Sequence, residues 1–165
     1  KKEKGKLNGW LAYTLSKSER SIQSIDNGAW FPFQFDRTHD MKAVLHYQAN
    51  ANLSFGGTWS YASGNYLTAP EVHYLVTVEN QQYLIEQYGG KNNLKLPAYH
   101  RLDIGIHHKK DIGDARQTWS FTIYNVYNRQ NVFYVNSSLN ASGGLSFQPV
   151  SILPVLPSVN YAIEF

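Results

Sequence analysis

Six histidines, twelve acids and no cysteine set the chemistry open to this 165-residue chain. The histidines are His39, His46, His73, His100, His107 and His108. None belongs to a His-Glu-x-x-His element, and a strand would send the adjacent His107 and His108 to opposite faces. Hydrogen bonding in loops or on a polar face, rather than metal ligation, is therefore the expectation. Asp36, Arg37, His39 and Asp40 have the residue types of an acid–base site, but equally those of an ion-pairing cluster at a strand end. Arg101 and Asp103, two residues apart, would share a strand face and form an interior network. The absence of cysteine removes disulfides, thiol catalysis and Cys-based zinc sites. Gly89-Gly90-Lys91 lacks the spacing of a phosphate-binding loop. No Gly-x-Ser-x-Gly is present, so a β-rich hydrolase such as an outer-membrane lipase has no nucleophile motif. The expectation is a non-enzymatic chain without catalytic residues, metal or cofactor. Asn52-Leu-Ser54, Asn136-Ser-Ser138 and Asn140-Ala-Ser142 match the glycosylation acceptor pattern, which is short enough to arise by chance.

Aromatics offer a second kind of chemistry. Trp30, Phe31, Phe33 and Phe35 form a knot after a polar stretch, and Tyr66, Tyr74, Tyr83 and Tyr88 lie in a long connection over 63–98. Stacking on a sugar or another amphipathic ligand is one use of such a knot, and packing of the loop is the commoner one. Connections beyond about 15 residues are usually functional or disordered, which makes 63–98 the other substrate-facing candidate. Basic residues are scattered apart from Lys1, Lys2, Lys4 and Lys6, so no nucleic-acid stripe is expected despite a net charge of +3. The opening lysine-rich run is not followed by the apolar stretch of a secretory signal. That leaves a cytosolic chain or a mature or internal piece of a longer one.

The elements that must position these residues read as strands. Aromatics make up 15% of the chain and charged residues 16%, against roughly 25% charged in ordinary soluble domains. This composition opposes disorder and coiled coil. No run of about 18 apolar residues exists, so a spanning helix is excluded. Period-2 alternation predicts six strands: 7–16, 38–49, 53–62, 99–109, one from near 117 continuing irregularly to 135, and one reaching the C-terminus. Tyr74–Val78 reads as an extra short strand, 79–88 as strand or helical turn, and 137–144 as a loop of small residues. Asn50-Ala51-Asn52 and 111–114 read as tight turns. The connections after strands one, three and five are long, and those after two and four are short. An antiparallel meander then places all long loops at one end, the arrangement of outer-membrane barrels. Strands of about 10 residues also match a tilted membrane crossing.

The two strand faces differ. One carries Leu11, Leu45, Phe55, Ile104, Phe121 and Val159; the other carries Ser54, Thr58, Ser60, Thr118, Ser120, Thr122, Ser158 and Asn160. A soluble sandwich surface would hold more Lys and Glu. Tyr47, Trp119, Tyr161 and Phe165 fall near the short-turn end, and Tyr13, Trp59 and Tyr61 near the long-loop end, like two interfacial girdles. The alternative is a ligand-binding soluble or small β-barrel module without active transport.

Five stretches in order resemble the C-terminal part of a TonB-dependent outer-membrane transporter of the Bacteroidota type. They are Phe35-Asp36-Arg37-Thr38-His39-Asp40; 58–70, closing Gly64-Asn65-Tyr66-Leu67-Thr68-Ala69-Pro70; Leu96-Pro97-Ala98-Tyr99-His100-Arg101-Leu102-Asp103; Tyr124-Asn125-Val126-Tyr127-Asn128-Arg129; and 153–161 with the final Phe165. The resemblance implies an all-β fold: an antiparallel meander of about six transmembrane strands within a 22-stranded barrel, residues 1–165 being its C-terminal part. The plug and the segment that binds the energising TonB protein would lie elsewhere in a longer chain, of which this would be roughly the last quarter. Six strands are too few to close a barrel, since eight is about the minimum. The lysine-rich start would then be a periplasmic turn. The implied activity is energy-coupled import of a scarce large nutrient (siderophore, glycan, cobalamin or peptide) across the bacterial outer membrane. The implied partners are the rest of the transporter, the TonB complex, the barrel assembly machinery, the lipid bilayer and a surface lipoprotein lid. Arg37, Asp40, Lys42, Arg101 and Asp103 become a lumen-facing network. Trp30, Phe31, Phe33, Tyr66, Tyr74, Tyr83 and Tyr88 become substrate-facing loop residues. Tyr161, Ile163 and Phe165 fit an assembly signal, although Asn160 stands where the family has Gly and Ile163 where it has an aromatic.

Overall fold

A computed structural model describes residues 5–140 and 144–165, so Lys1, Lys2, Lys4 and the middle of the small-residue loop lie outside the described residues. The strands are β1 (Leu7–Leu15), β2 (Glu19–Arg20), β3 (Phe31–Pro32), β4 (His39–Gln48), β5 (Leu53–Ala62), β6 (Tyr66–Leu67), β7 (Pro70–Val78), β8 (Gln81–Tyr88), β9 (Leu94–Lys95), β10 (Tyr99–Ile112), β11 (Ala115–Tyr124), β12 (Tyr134–Leu139), β13 (Leu145–Val150) and β14 (Leu156–Glu164). Six of them form one antiparallel sheet in the order β1-β4-β5-β10-β11-β14, which is chain order. The fold is therefore an all-β meander. Its edges are β1 and β14, and the sheet does not close among the described residues.

Register explains why the two faces stay separate. Leu11 pairs with Ala43, Ala43 with Trp59, Trp59 with Leu102, and further along Ile106 with Phe121 and Phe121 with Val159. Directly paired residues point to the same side of a sheet, so the apolar positions form one uninterrupted surface across all six strands. Nothing in the described structure covers it: Leu11 is 66% exposed, Leu45 58% and Val159 61%. The accessible area is 11470 Å², whereas a compact 18.8 kDa monomer would have about 8,300 Å².

The turns at one end are tight. Gly113 (φ 60°) takes the first position of a two-residue turn between β10 and β11, the conformation glycine reaches without strain. Between β4 and β5, Asn50 Oδ1 accepts from the backbone N–H groups of Asn52 and Leu53, both at 2.9 Å, the side-chain mimic of a turn. At the other end the connections 16–38, 63–98 and 125–155 carry their own small ladders: β2 with β3, β6 with β9, β7 with β8, and β12 with β13.

Three expectations change here. The fifth strand stops at Tyr124 instead of running on to Val135, because Asn125 takes a left-handed backbone (φ 54°) that no ladder continues. Within 79–88, Gln81–Tyr88 is strand, paired with β7 across a turn at Glu79 and Asn80, both at positive φ, with one register shift between Pro70 and Val72. The region 137–144 is only in part a loop: Tyr134–Leu139 pairs with Leu145–Val150, so the third long connection is a hairpin arm.

The small core lies at the loop end, where Phe31, Ala62, Ser63, Ala69, Asn92 and Asn125 are buried. Asn92 Nδ2 donates to Pro32 O (2.7 Å), Lys91 N to Asp26 Oδ2 (2.9 Å) and Tyr66 N to Gln34 O (3.1 Å), which binds the first two long loops together. Gly64 sits in this packing with Leu96 O against the position a Cβ would take. Gly64→Ala should therefore lower unfolding stability by about 1–3 kcal/mol through backbone displacement. Gly56→Ala, whose Cβ would meet nothing within 4 Å, should stay within about 0.5 kcal/mol of the parent. Urea unfolding of the two variants checks the contrast.

Candidate functional site

The polar face and the loops above it meet in a cavity of about 500 Å³. Its walls come from all three long connections and from the loop ends of β10 and β11: Phe35 and Arg37 from the first, Asn65 and Tyr66 from the second, Phe133 from the third, and Tyr99 and Tyr124 from the sheet. The volume falls in the range of small-ligand sites.

Beneath it lies a network of charge and aromatic contacts. Arg101 Nη2 is 2.9 Å from Asp103 Oδ2, Arg101 Nη1 donates to Tyr99 Oη at 3.0 Å, and the guanidinium lies over the Tyr124 ring at 4.0 Å. Arg37 stands over the other side of this group, 5.8 Å from the centre of the Tyr99 ring. Asp40 and Lys42 lie on the same polar face and line, with Arg37, a smaller recess of about 120 Å³. Of the five residues expected to form a network, Arg101 and Asp103 are in direct contact, and Arg37 joins them through Tyr99. Asp40 and Lys42 stand beside them with no ion pair to either among the described residues.

Asn125 is the residue whose importance the sequence does not announce. It is fully buried, at 0% exposure. Its N–H donates to Asp103 Oδ1 (2.9 Å), its Nδ2 to the carbonyls of Arg129 (3.0 Å) and Leu153 (3.1 Å), and its Oδ1 accepts from Arg129 N (2.9 Å). One residue thus fastens the ion pair of the sheet, through its backbone N–H, to both ends of the third loop, through its side chain. Asn128, also at positive φ (51°), accepts from Val155 N and extends the clasp. The spacing Asn125-Val126-Tyr127-Asn128 was visible, but nothing in it distinguishes a buried clasp from a surface turn.

The aromatic residues divide. Tyr66 lines the cavity, Phe31 is buried in the loop core, and Trp30 is exposed. Phe33 packs edge-on to Phe35 with the Arg20 guanidinium 3.8 Å from its ring centre. Tyr74, Tyr83 and Tyr88 stand on the β7–β8 hairpin, away from the cavity lining. Tyr161 packs on Trp119 (4.6 Å between ring centres), Ile163 shares its face, and Phe165 lies beyond the strand end, 99% exposed.

Four histidines have defined neighbours. His107 Nδ1 is 2.9 Å from Ser120 Oγ on the polar face. No described contact brings a carboxylate to the other ring nitrogen, the third group a nucleophilic serine needs. His39 and His100 bond Tyr13 and Tyr127 at the outer rim, each at 2.9 Å. No group of three or more His, Cys, Asp or Glu side chains is placed to hold a metal among the described residues. The His73 side chain is 1% exposed and its Nε2 is 3.1 Å from Glu86 Oε1, without hydrogen-bond geometry at either ring nitrogen.

Glu86 itself is held below the ordinary carboxylate range, chiefly by the hydrogen bond from Tyr88 (2.6 Å), with smaller help from the His73 charge and Ser137. The same bond raises the Tyr88 phenol. A carboxyl depressed in the folded state contributes stability above its unfolded pKa and loses it as pH falls through the folded value. Removing the phenol should therefore return Glu86 toward its ordinary titration. A carbon-detected NMR titration of Tyr88→Phe is expected to move the Glu86 midpoint upward; an unchanged midpoint would assign the shift to His73 and Ser137. A separate substitution tests the clasp. Asn125→Ala removes the side-chain partner of two carbonyls and one N–H and places alanine at positive φ, so it should cost about 2–4 kcal/mol in urea unfolding.

No family model matches the chain, and no curated protein and no solved structure matches it.

Proposed function

We propose that this chain is membrane-spanning wall, extracellular loops and closing strand of a TonB-dependent outer-membrane importer that takes up a scarce large nutrient by energy-coupled transport. The observation that carries this is the uncovered apolar face, continuous over six strands in register, opposite a face of small polar residues. Water would penalise such a surface by roughly 1.5–3 kcal/mol for each large aliphatic or aromatic side chain left out of an apolar phase. Lipid removes that penalty. The six strands run from 9 to 14 residues, long enough for a tilted crossing. The two edges support membership of a larger barrel, because lipid offers no partner for the unpaired N–H and C=O groups of β1 and β14. In that setting the tight turns face the periplasm, the three long connections face outward, and the cavity opens toward the lumen. The bilayer, the remaining strands and plug, the TonB complex and the assembly machinery are the partners of this reading. Tyr161, Ile163 and Phe165 would present the assembly signal.

Spin labels along β5 of the full-length protein in vesicles test the facing. Labels at 55, 57 and 59 should collide with oxygen dissolved in lipid, and labels at 54, 58 and 60 with an aqueous nickel chelate. Equal aqueous accessibility of both sets would sink the proposal and favour a soluble ligand-binding module. The same facing predicts that Ile104→Arg costs about 2–4 kcal/mol near the bilayer centre, while Ser60→Lys is tolerated.

A further inference from the structure

We infer that the cavity at the loop end is a binding site for a singly charged acidic sugar, a hexuronic acid unit of an oligosaccharide. The inference rests on the importer reading for its setting and on the cavity's own chemistry for its ligand. Among the described residues the lining holds one cation, Arg37, and no acid. The ion pairs among the described residues lie elsewhere, and none engages Arg37. Its neighbour Arg101 is by contrast neutralised by Asp103. The planar fork of Arg37 is therefore open to a carboxylate, which it can take bidentately.

A second group asks for the opposite partner. Asn65 Oδ1 is buried against the lining and accepts no hydrogen bond. A buried acceptor without a donor is costly, so a ligand hydroxyl is the complement. Much of the remaining lining is aromatic (Tyr66, Tyr99, Tyr124 and Phe133 among others) or aliphatic, suited to the apolar C–H face of a pyranose. Carboxylate, hydroxyl and flat apolar face occur together in a hexuronic acid. A polyanionic metal chelate would bring several charges to a site with one cation, and a neutral sugar would leave Arg37 unanswered.

The test is calorimetric titration of the full-length protein in detergent with digalacturonate, its dimethyl ester, and 2,3-dihydroxybenzoate. Digalacturonate is expected to bind about tenfold or more tightly than the ester, the ratio a charge-assisted bond supplies. Arg37→Gln should erase that ratio and keep the ester's affinity, and Lys42→Gln should preserve it. Equal affinities for acid and ester in the parent protein, an unchanged ratio in Arg37→Gln, tighter binding of dihydroxybenzoate, or no sugar binding would each overturn the assignment. The acid-to-ester ratio needs no variant, so a misfolded Arg37→Gln protein does not blunt the test. Absent sugar binding with the β5 accessibility pattern intact removes this site alone. Digalacturonate binding with that pattern lost would keep the site and remove the importer.

Discussion

Cross-strand register is the constraint on which the other features depend. A slip of one residue between any two neighbours would turn every side chain of a strand over and mix the faces. The sheet holds register through unbroken pairing from Leu7 opposite Tyr47 at one edge to Arg116 opposite Glu164 at the other. The tight turn at Gly113 and the Asn50 turn fix two of the five junctions locally. The long connections cannot do this by geometry, so there the fixing falls to side chains: Asn125 for the third loop, Asn92 and Asp26 for the first two.

This division accounts for where polar groups are buried. The sheet has almost no interior of its own, and the described core is small and rich in amides and backbone contacts. The loop end behaves as a set of clasps. Each one secures carbonyls and N–H groups that lie outside the ladders. The cavity exists because three such clasped loops meet over the polar face without filling the space between them. Arg37, Tyr99, Arg101, Asp103 and Asn125 make one connected line from the first loop through the sheet to the third.

The six long strands were legible because period-2 alternation reports a sheet with two unlike faces directly. The meander was legible from connection lengths. The β7–β8 hairpin was only half legible: its turn uses Glu79 and Asn80, neither of them glycine, at φ 51° and 64°. The β12–β13 hairpin was hidden because small and amide residues such as Asn136, Ser137 and Ser138 carry little strand signal, and Pro149 argues against one. Asn125 lies within a recognisable motif, but a clasp is defined by partners at Leu153 and Asp103, far away along the chain. The charged pair Arg101 and Asp103 was legible from spacing; the openness of Arg37 was not, since it depends on which acids fail to reach it.

The self-closing ladders of the long connections have a further consequence. Because β7–β8 and β12–β13 each complete their own backbone pairing, their tips carry no responsibility for the sheet's register. Sequence at those tips can drift, lengthen or be exchanged while the wall beneath stays in alignment. The same architecture lets the residues at the hairpin tips change their identity while Tyr99 and Tyr124, cavity-lining residues at the end of the sheet, keep their place.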